Sequence, residues 1–306
     1  MSITPTQHQE ESASLHLDTS PIRIKGILAA IDFSEQATHA LKIAVRLAKQ
    51  LNSQLYVLHT VSPLMYAPGA GVLSPVLHES ETKQAQEQLH KYIAKIPEVR
   101  TTKHEEIVLY GPPTEAMMDV VESKRVDLVV VGSHGRSGLG KLVLGSNAES
   151  VIRHLHCPIL VVGPHCGRRY GPLKSIVFAT DLPVGSLRAA QYAMSIAQAA
   201  GSMIILVHVL PKQATKEECP LEVESVIEQL HYLVPNGSEK KNVRFEIAVG
   251  DRAKQIVEIA NHCKAGLIVM GVREHGVLAD HAPWATLSEV IRSAHCPVLA
   301  VRPHLL

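Results

Sequence analysis

The chain is written twice. Ile27-Leu28-Ala29-Ala30-Ile31-Asp32 returns as Ile176-Val177-Phe178-Ala179-Thr180-Asp181, and Leu55-Tyr56-Val57-Leu58-His59 as Ile204-Ile205-Leu206-Val207-His208. Val151-Ile152-Arg153-His154-Leu155-His156-Cys157-Pro158-Ile159-Leu160 returns as Val290-Ile291-Arg292-Ser293-Ala294-His295-Cys296-Pro297-Val298-Leu299. The matches keep their order, so the repeated unit is a whole domain. A solenoid would recur at a much shorter period. The length of 306 residues accommodates two such units, since about 150 residues make an ordinary domain. Glycine and proline crowd the stretch from Gly163 to Pro172, which marks a linker. The expected organisation is a polar tail over 1–20, a first domain over 21–163, a linker over 164–172 and a second domain over 173–306.

Each half alternates short β-branched runs with longer helical patterns. In the first half the runs are Lys25–Ile31, Leu55–Val61, Glu105–Leu109, Asp127–Val131 and Ile159–Val162. Leu128-Val129-Val130-Val131 is continuously apolar, as a strand buried on both faces must be. Ala37, Ala40, Leu41, Ala44, Ala48 and Leu51 fall at helical spacing, and Ala189, Ala193, Ala197 and Ala200 repeat that stripe. Alternating strands and helices imply parallel sheets with right-handed crossovers. The fold class is therefore α/β, with two tandem, doubly wound, five-stranded parallel-sheet domains. Ligands of such sheets sit beyond the carboxyl ends of strands where the strand order reverses. The ends to inspect carry Asp32 and Gly132 in the first half, Asp181 and Gly271 in the second.

Composition removes several function classes. A hydrophobic share of 46% supplies a core, and Lys+Arg 30 against Asp+Glu 29 leaves no concentrated positive field for nucleic acid. Aromatics at 4% argue against stacking platforms for single strands. The apolar runs are too short to span a bilayer, and Met1–Ser20 lacks the apolar core of a signal peptide. The five cysteines have no framework spacing and fit a reducing, cytoplasmic setting.

After the fourth run comes Gly132-Ser133-His134-Gly135-Arg136-Ser137-Gly138-Leu139-Gly140-Lys141-Leu142-Val143-Leu144-Gly145-Ser146. Gly145-Ser146 opens a helix over Asn147–His156, whose free N–H groups and dipole favour a phosphate. Arg136 and Lys141 add charge within the loop, and His134 can reach the same anion. A structural alternative stands beside this. Ser146 followed by Glu149 is a capping-box pattern, in which the two side chains satisfy the helix end themselves. Gly135 to Lys141 also fits G-x-x-x-x-G-K, but Leu142 stands where a P-loop needs Ser or Thr. The first strand's turn lacks the G-x-G-x-x-G of a dinucleotide fold.

The spacing Gly132, Gly135, Gly145, Ser146 resembles the G-x2-G-x9-G-[S/T] signature of the universal stress protein family. With its flanks and the repeat, the resemblance covers nearly everything after residue 21. It implies Rossmann-like domains of the adenine-nucleotide alpha-hydrolase kind and ATP, alone or with Mg2+, across the strand ends. By resemblance, Asp32 and Thr60 sit at the adenosine end, Gly132 and Gly135 line the ribose and phosphates, and Gly145 and Ser146 cradle the phosphates. Thr60 stands where members often carry an apolar residue. Asp32 has a second reading, as the acid of a turn in which Ser34 caps the next helix.

The second copy departs from the signature. Glu274 replaces Gly135, and Trp284 and Ala285 replace Gly145 and Ser146, bringing negative charge and bulk to the equivalent place. One nucleotide per chain is expected, in the first domain, with ATP binding changing the surface offered to a protein partner. The enzyme alternative is slow hydrolysis of ATP or an adenosine phosphate, though no residue stands out as a base. The scaffold alternative has the halves pairing through Pro158–Val162 and Pro297–Val301, by family resemblance and because strand edges accept strands. A homo-oligomer is a further possible partner. The histidines and cysteines lack paired metal spacing, so no metal is expected. The repeated His-Cys-Pro is read as serving the fold.

Overall fold

A computed structural model describes residues 21–61, 75–134, 144–167, 173–182, 186–212, 220–234, 242–272 and 282–303. The first half runs β1 (Gly26–Ile31), α1 (Glu35–Leu51), β2 (Gln54–Val61), α2 (Pro75–Ile93), α3 (Pro97–Arg100), β3 (His104–Tyr110), α4 (Pro113–Lys124), β4 (Leu128–Gly132), α5 (Ser146–His154) and β5 (Ile159–Val162). The second runs β6 (Ser175–Ala179), α6 (Leu187–Ala200), β7 (Met203–Leu210), α7 (Pro220–Tyr232), β8 (Val243–Val249), α8 (Arg252–His262), β9 (Leu267–Gly271), α9 (Ala282–Ser293) and β10 (Val298–Val301).

Local chemistry explains the helix closest to the site. Ser34 caps α1 by accepting from Ala37 N at 3.1 Å, and Asn52 ends it in the left-handed conformation. The alanine stripe at 37, 40, 44 and 48 is buried against the sheet, as small residues allow. Ala189, Ala193 and Ala197 do the same for α6.

The strands form one ten-stranded sheet of order β3-β2-β1-β4-β5-β10-β9-β6-β7-β8. Each half is a parallel five-stranded unit, and the two join where β5 pairs antiparallel with β10. The terminal strands expected to act as pairing edges are thus joined to each other, with Leu299 opposite Leu160. One apolar core, against α1, α2, α6 and α7, covers one face. A second, against α4, α5, α8 and α9, covers the other.

Packing between the halves is close. A Cβ placed on Gly163 would lie 2.1 Å from the Ile291 carbonyl oxygen of α9, so only glycine fits. Arg188 Nη1 donates to the carbonyls of His156 and Arg302, both at 3.1 Å, and Arg302 Nη1 donates to the Arg153 carbonyl at 2.6 Å. The His-Cys-Pro repeat acts within each half: the Pro158 carbonyl accepts from Val129 N of β4, and the Pro297 carbonyl from Ile268 N of β9. Burial pushes the thiols of Cys157, Cys166 and Cys296 up to about 12, so at neutral pH they are protonated.

Candidate ligand-binding site

In the first half the strand order reverses between β1 and β4, which both pair with their neighbours in parallel. A cavity of about 330 Å³ opens there, beyond the carboxyl ends of the strands. Asp32, Thr60, Gly132, His134, Gly145 and Ser146, chosen from the sequence, all line it. Gly135, Arg136 and Lys141 lie outside the described residues.

The beginning of α5 gives the cavity its chemistry. Its N-cap is Gly145, and no side chain caps it. The capping-box alternative is therefore corrected: Ser146 is the first helical residue, and Glu149 pairs forward with Arg153 at 2.7 Å. Glycine in place of a polar cap leaves the first-turn donors open. Gly145 N donates to the Ser133 carbonyl at 2.8 Å, and Glu149 N to the Gly145 carbonyl at 2.9 Å. The N–H groups of Ser146, Asn147 and Ala148 are the ones an α-helix leaves without an internal acceptor, and all these residues line the cavity. Gly145 also lies tight against β4, where an added Cβ would meet the Ser133 oxygen at 3.0 Å.

Two side chains complete the polar wall. His134 Nδ1 shares a hydrogen bond with Ser133 Oγ at 2.9 Å, while its buried Nε2 has no partner among the described residues. With the Ser133 hydroxyl donating to Nδ1, the ring proton sits on Nε2 and is available to an acceptor. An unpaired buried polar atom costs about 1–3 kcal/mol, which a ligand can recover. Asp32 is half-buried, and its Oδ1 accepts from Ser34 N at 3.0 Å. The turn reading and the cavity position hold together, because the Asp32 side chain braces the turn at the cavity rim.

Behind Asp32 an aromatic group fixes the turn. Phe33, at φ 64°, packs against His59 and Tyr92 with ring centroids 4.3 and 5.1 Å away. His59 Nδ1–H donates to the Ile31 carbonyl at 2.9 Å. Burial raises the Tyr92 hydroxyl above its usual range, countered by its hydrogen bond with Thr38 and assisted by the Asp32 carboxylate. Ser133, Asn147, Pro113 and Met117 line the cavity too, and sequence reasoning did not select them. Asn147 follows the signature directly. Pro113 and Met117 follow β3, an end the strand-reversal argument does not inspect.

In the second half α9 begins at Ala282. Aligned through Val151 and Val290, the counterparts of Ser146, Asn147 and Ala148 are Ala285, Thr286 and Leu287. These follow the first helical turn, so their N–H groups bond within the helix. The expected obstruction by Trp284 is corrected. Its ring does not line the second cavity but lies 4.6 Å from the Arg153 guanidinium of α5. Glu274 lies outside the described residues. Among the described residues no group of three or more His, Cys, Asp or Glu could hold a metal, and no helix is long and apolar enough to cross a membrane.

Comparison with known proteins agrees with this architecture. The universal stress protein family model matches residues 23–163 and again 172–302. A universal stress protein of Methanocaldococcus jannaschii is 35% identical over 143 residues, 45% of this chain and 81% of its own. One from Mycolicibacterium smegmatis is 25% identical over 291 residues, covering 91% of this chain and 97% of its own. The crystal structure of a universal stress protein from Archaeoglobus fulgidus superposes with a TM-score of 0.69 at 21% identity, covering 92% of this chain and 99% of that one.

Proposed function

The chain belongs to the universal stress protein family, and from that premise we propose that its first half binds ATP, alone or with Mg2+, and its second half does not. The observation that carries this reading is the start of α5, which faces the cavity with open main-chain donors and no side-chain cap. A polyphosphate is the ligand such a terminus favours. His134 Nε2 adds a donor beside it. Asp32, the one carboxylate among the described lining residues, suits the hydroxyl-bearing nucleoside end. The glycine signature and the charge of Arg136 and Lys141 fit the same reading. In this mechanism ATP holds the 135–145 segment on the cavity, and the covered surface is what a protein partner reads.

Calorimetric titration of the full chain with ATP tests the proposal. One equivalent per chain is expected, with slower tryptic cleavage after Arg136 and Lys141. Two equivalent sites, or no heat at all, contradict it. His134→Leu should weaken ATP binding about tenfold, while the ligand-free protein changes little in stability, because loss of the unpaired Nε2 is offset by stranding the buried Ser133 hydroxyl. Thermal melts with and without ATP read both effects.

A further inference from the structure

The second half keeps a cavity of its own, about 280 Å³, at the corresponding strand ends. It is not a blunted copy of the first. The helix start that supplies open donors in α5 is used up in α9, yet positive charge returns on the other side. Arg252, the first residue of α8, lines this cavity where the first half has Pro113. Among the described residues its guanidinium makes no ion pair or hydrogen bond.

Beside Arg252 the polar lining comprises Thr180, Asp181, Ser186, His208 and Thr286, of which Asp181 and His208 offer acceptors and the others hydroxyls. Asp181 takes a hydrogen bond from Ser186 Oγ at 3.3 Å, and its carboxylate has no donor role. His208 Nδ1–H donates to the Thr180 carbonyl at 2.9 Å, which leaves Nε2 of the neutral ring an acceptor. The floor is apolar, with Val209 where the first cavity has Thr60. A fitting ligand brings hydroxyl donors to Asp181 and His208, a compact carbon frame to the floor, and one negative group to Arg252.

We propose that the second cavity is a separate binding site for a hydroxylated compound with a single anionic group, such as a sugar carrying one phosphate or one carboxylate. Its anion pairs with Arg252, and its hydroxyls face Asp181 and His208. This site is independent of the ATP reading of the first half, and the charge that selects its ligand sits at the β8–α8 end instead of the β4–α5 end.

Hydrogen–deuterium exchange of the full chain tests it, with ribose 5-phosphate and gluconate as separate probes and ATP alongside. Peptides spanning 179–182 and 249–256 should exchange more slowly with at least one sugar probe, and whichever probe acts identifies the anion as phosphate or carboxylate. Arg252→Glu should raise the midpoint concentration about tenfold or more, since it removes a charge-assisted bond. That variant retains α8, because an acid suits the first helical position, and a melt confirms the fold. Silence from both sugars, an unchanged midpoint in the variant, or equal protection of these peptides by ATP overturns the proposal.

Discussion

Gly163→Ala is expected to lower the melting temperature of the full chain on the order of 5–10 °C, from about 3 kcal/mol of overpacking. The added methyl would sit 2.1 Å from the Ile291 carbonyl oxygen and 3.3 Å from its carbon. Those are backbone atoms of α9, so no rotamer change relieves the clash. The helix must lift, and with it the contacts that seat it beside the β5–β10 join. Gly271→Ala is the matched control. Among the described residues its methyl meets only Ala189 Cβ and Ser186 Oγ at 3.8 Å, ordinary contact distance. Urea or thermal melts of both variants decide it, and a Gly163→Ala protein that melts like the parent would show that α9 is not seated there.

Gly145→Asp should weaken ATP binding about 100-fold or more, equivalent to about 2.8 kcal/mol. Aspartate is a preferred N-cap, so α5 itself loses little. Its carboxylate would bond the first-turn N–H groups that the ligand needs and repel the phosphates as well. The methylene still presses on the Ser133 oxygen at 3.0 Å, so Gly145→Ala is needed to isolate the steric part. The alanine variant should lose about tenfold, with no added charge or new acceptor. Calorimetry on both measures the difference, and equal binding by the aspartate variant and the parent would remove those donors from the mechanism.

Much of this architecture was legible in the residues. The duplicated Asp32 and Asp181 runs marked the two central strands, and the apolar stretch from Leu128 marked a strand covered on both sides. The final strands were readable as pairing edges from the family resemblance and because a strand edge accepts another strand. What the sequence concealed was register at helix starts. Ser146 and Glu149 have the spacing of a reciprocal cap, yet the helix begins one residue earlier than that motif requires, with Gly145 as its cap, and Glu149 turns to Arg153. Pattern alone does not separate those outcomes, because both keep the same apolar stripe of Ala148, Val151 and Ile152 inward. Trp284 misled for a different reason. It occupies the repeat position of Gly145, but α9 starts earlier, and its ring is drawn to the Arg153 guanidinium of the other half. Arg252 is legible as a residue and silent as a site until the cavity around it is known.

The antiparallel seam of β5 and β10 turns the second half head to tail relative to the first. The mouths of the two cavities consequently face away from each other across the slab. A partner capping one mouth leaves the other open to solvent, and occupants of the two never compete for space. Under the two proposals above, the ligands of the two halves would therefore be read independently, each from its own edge of the sheet.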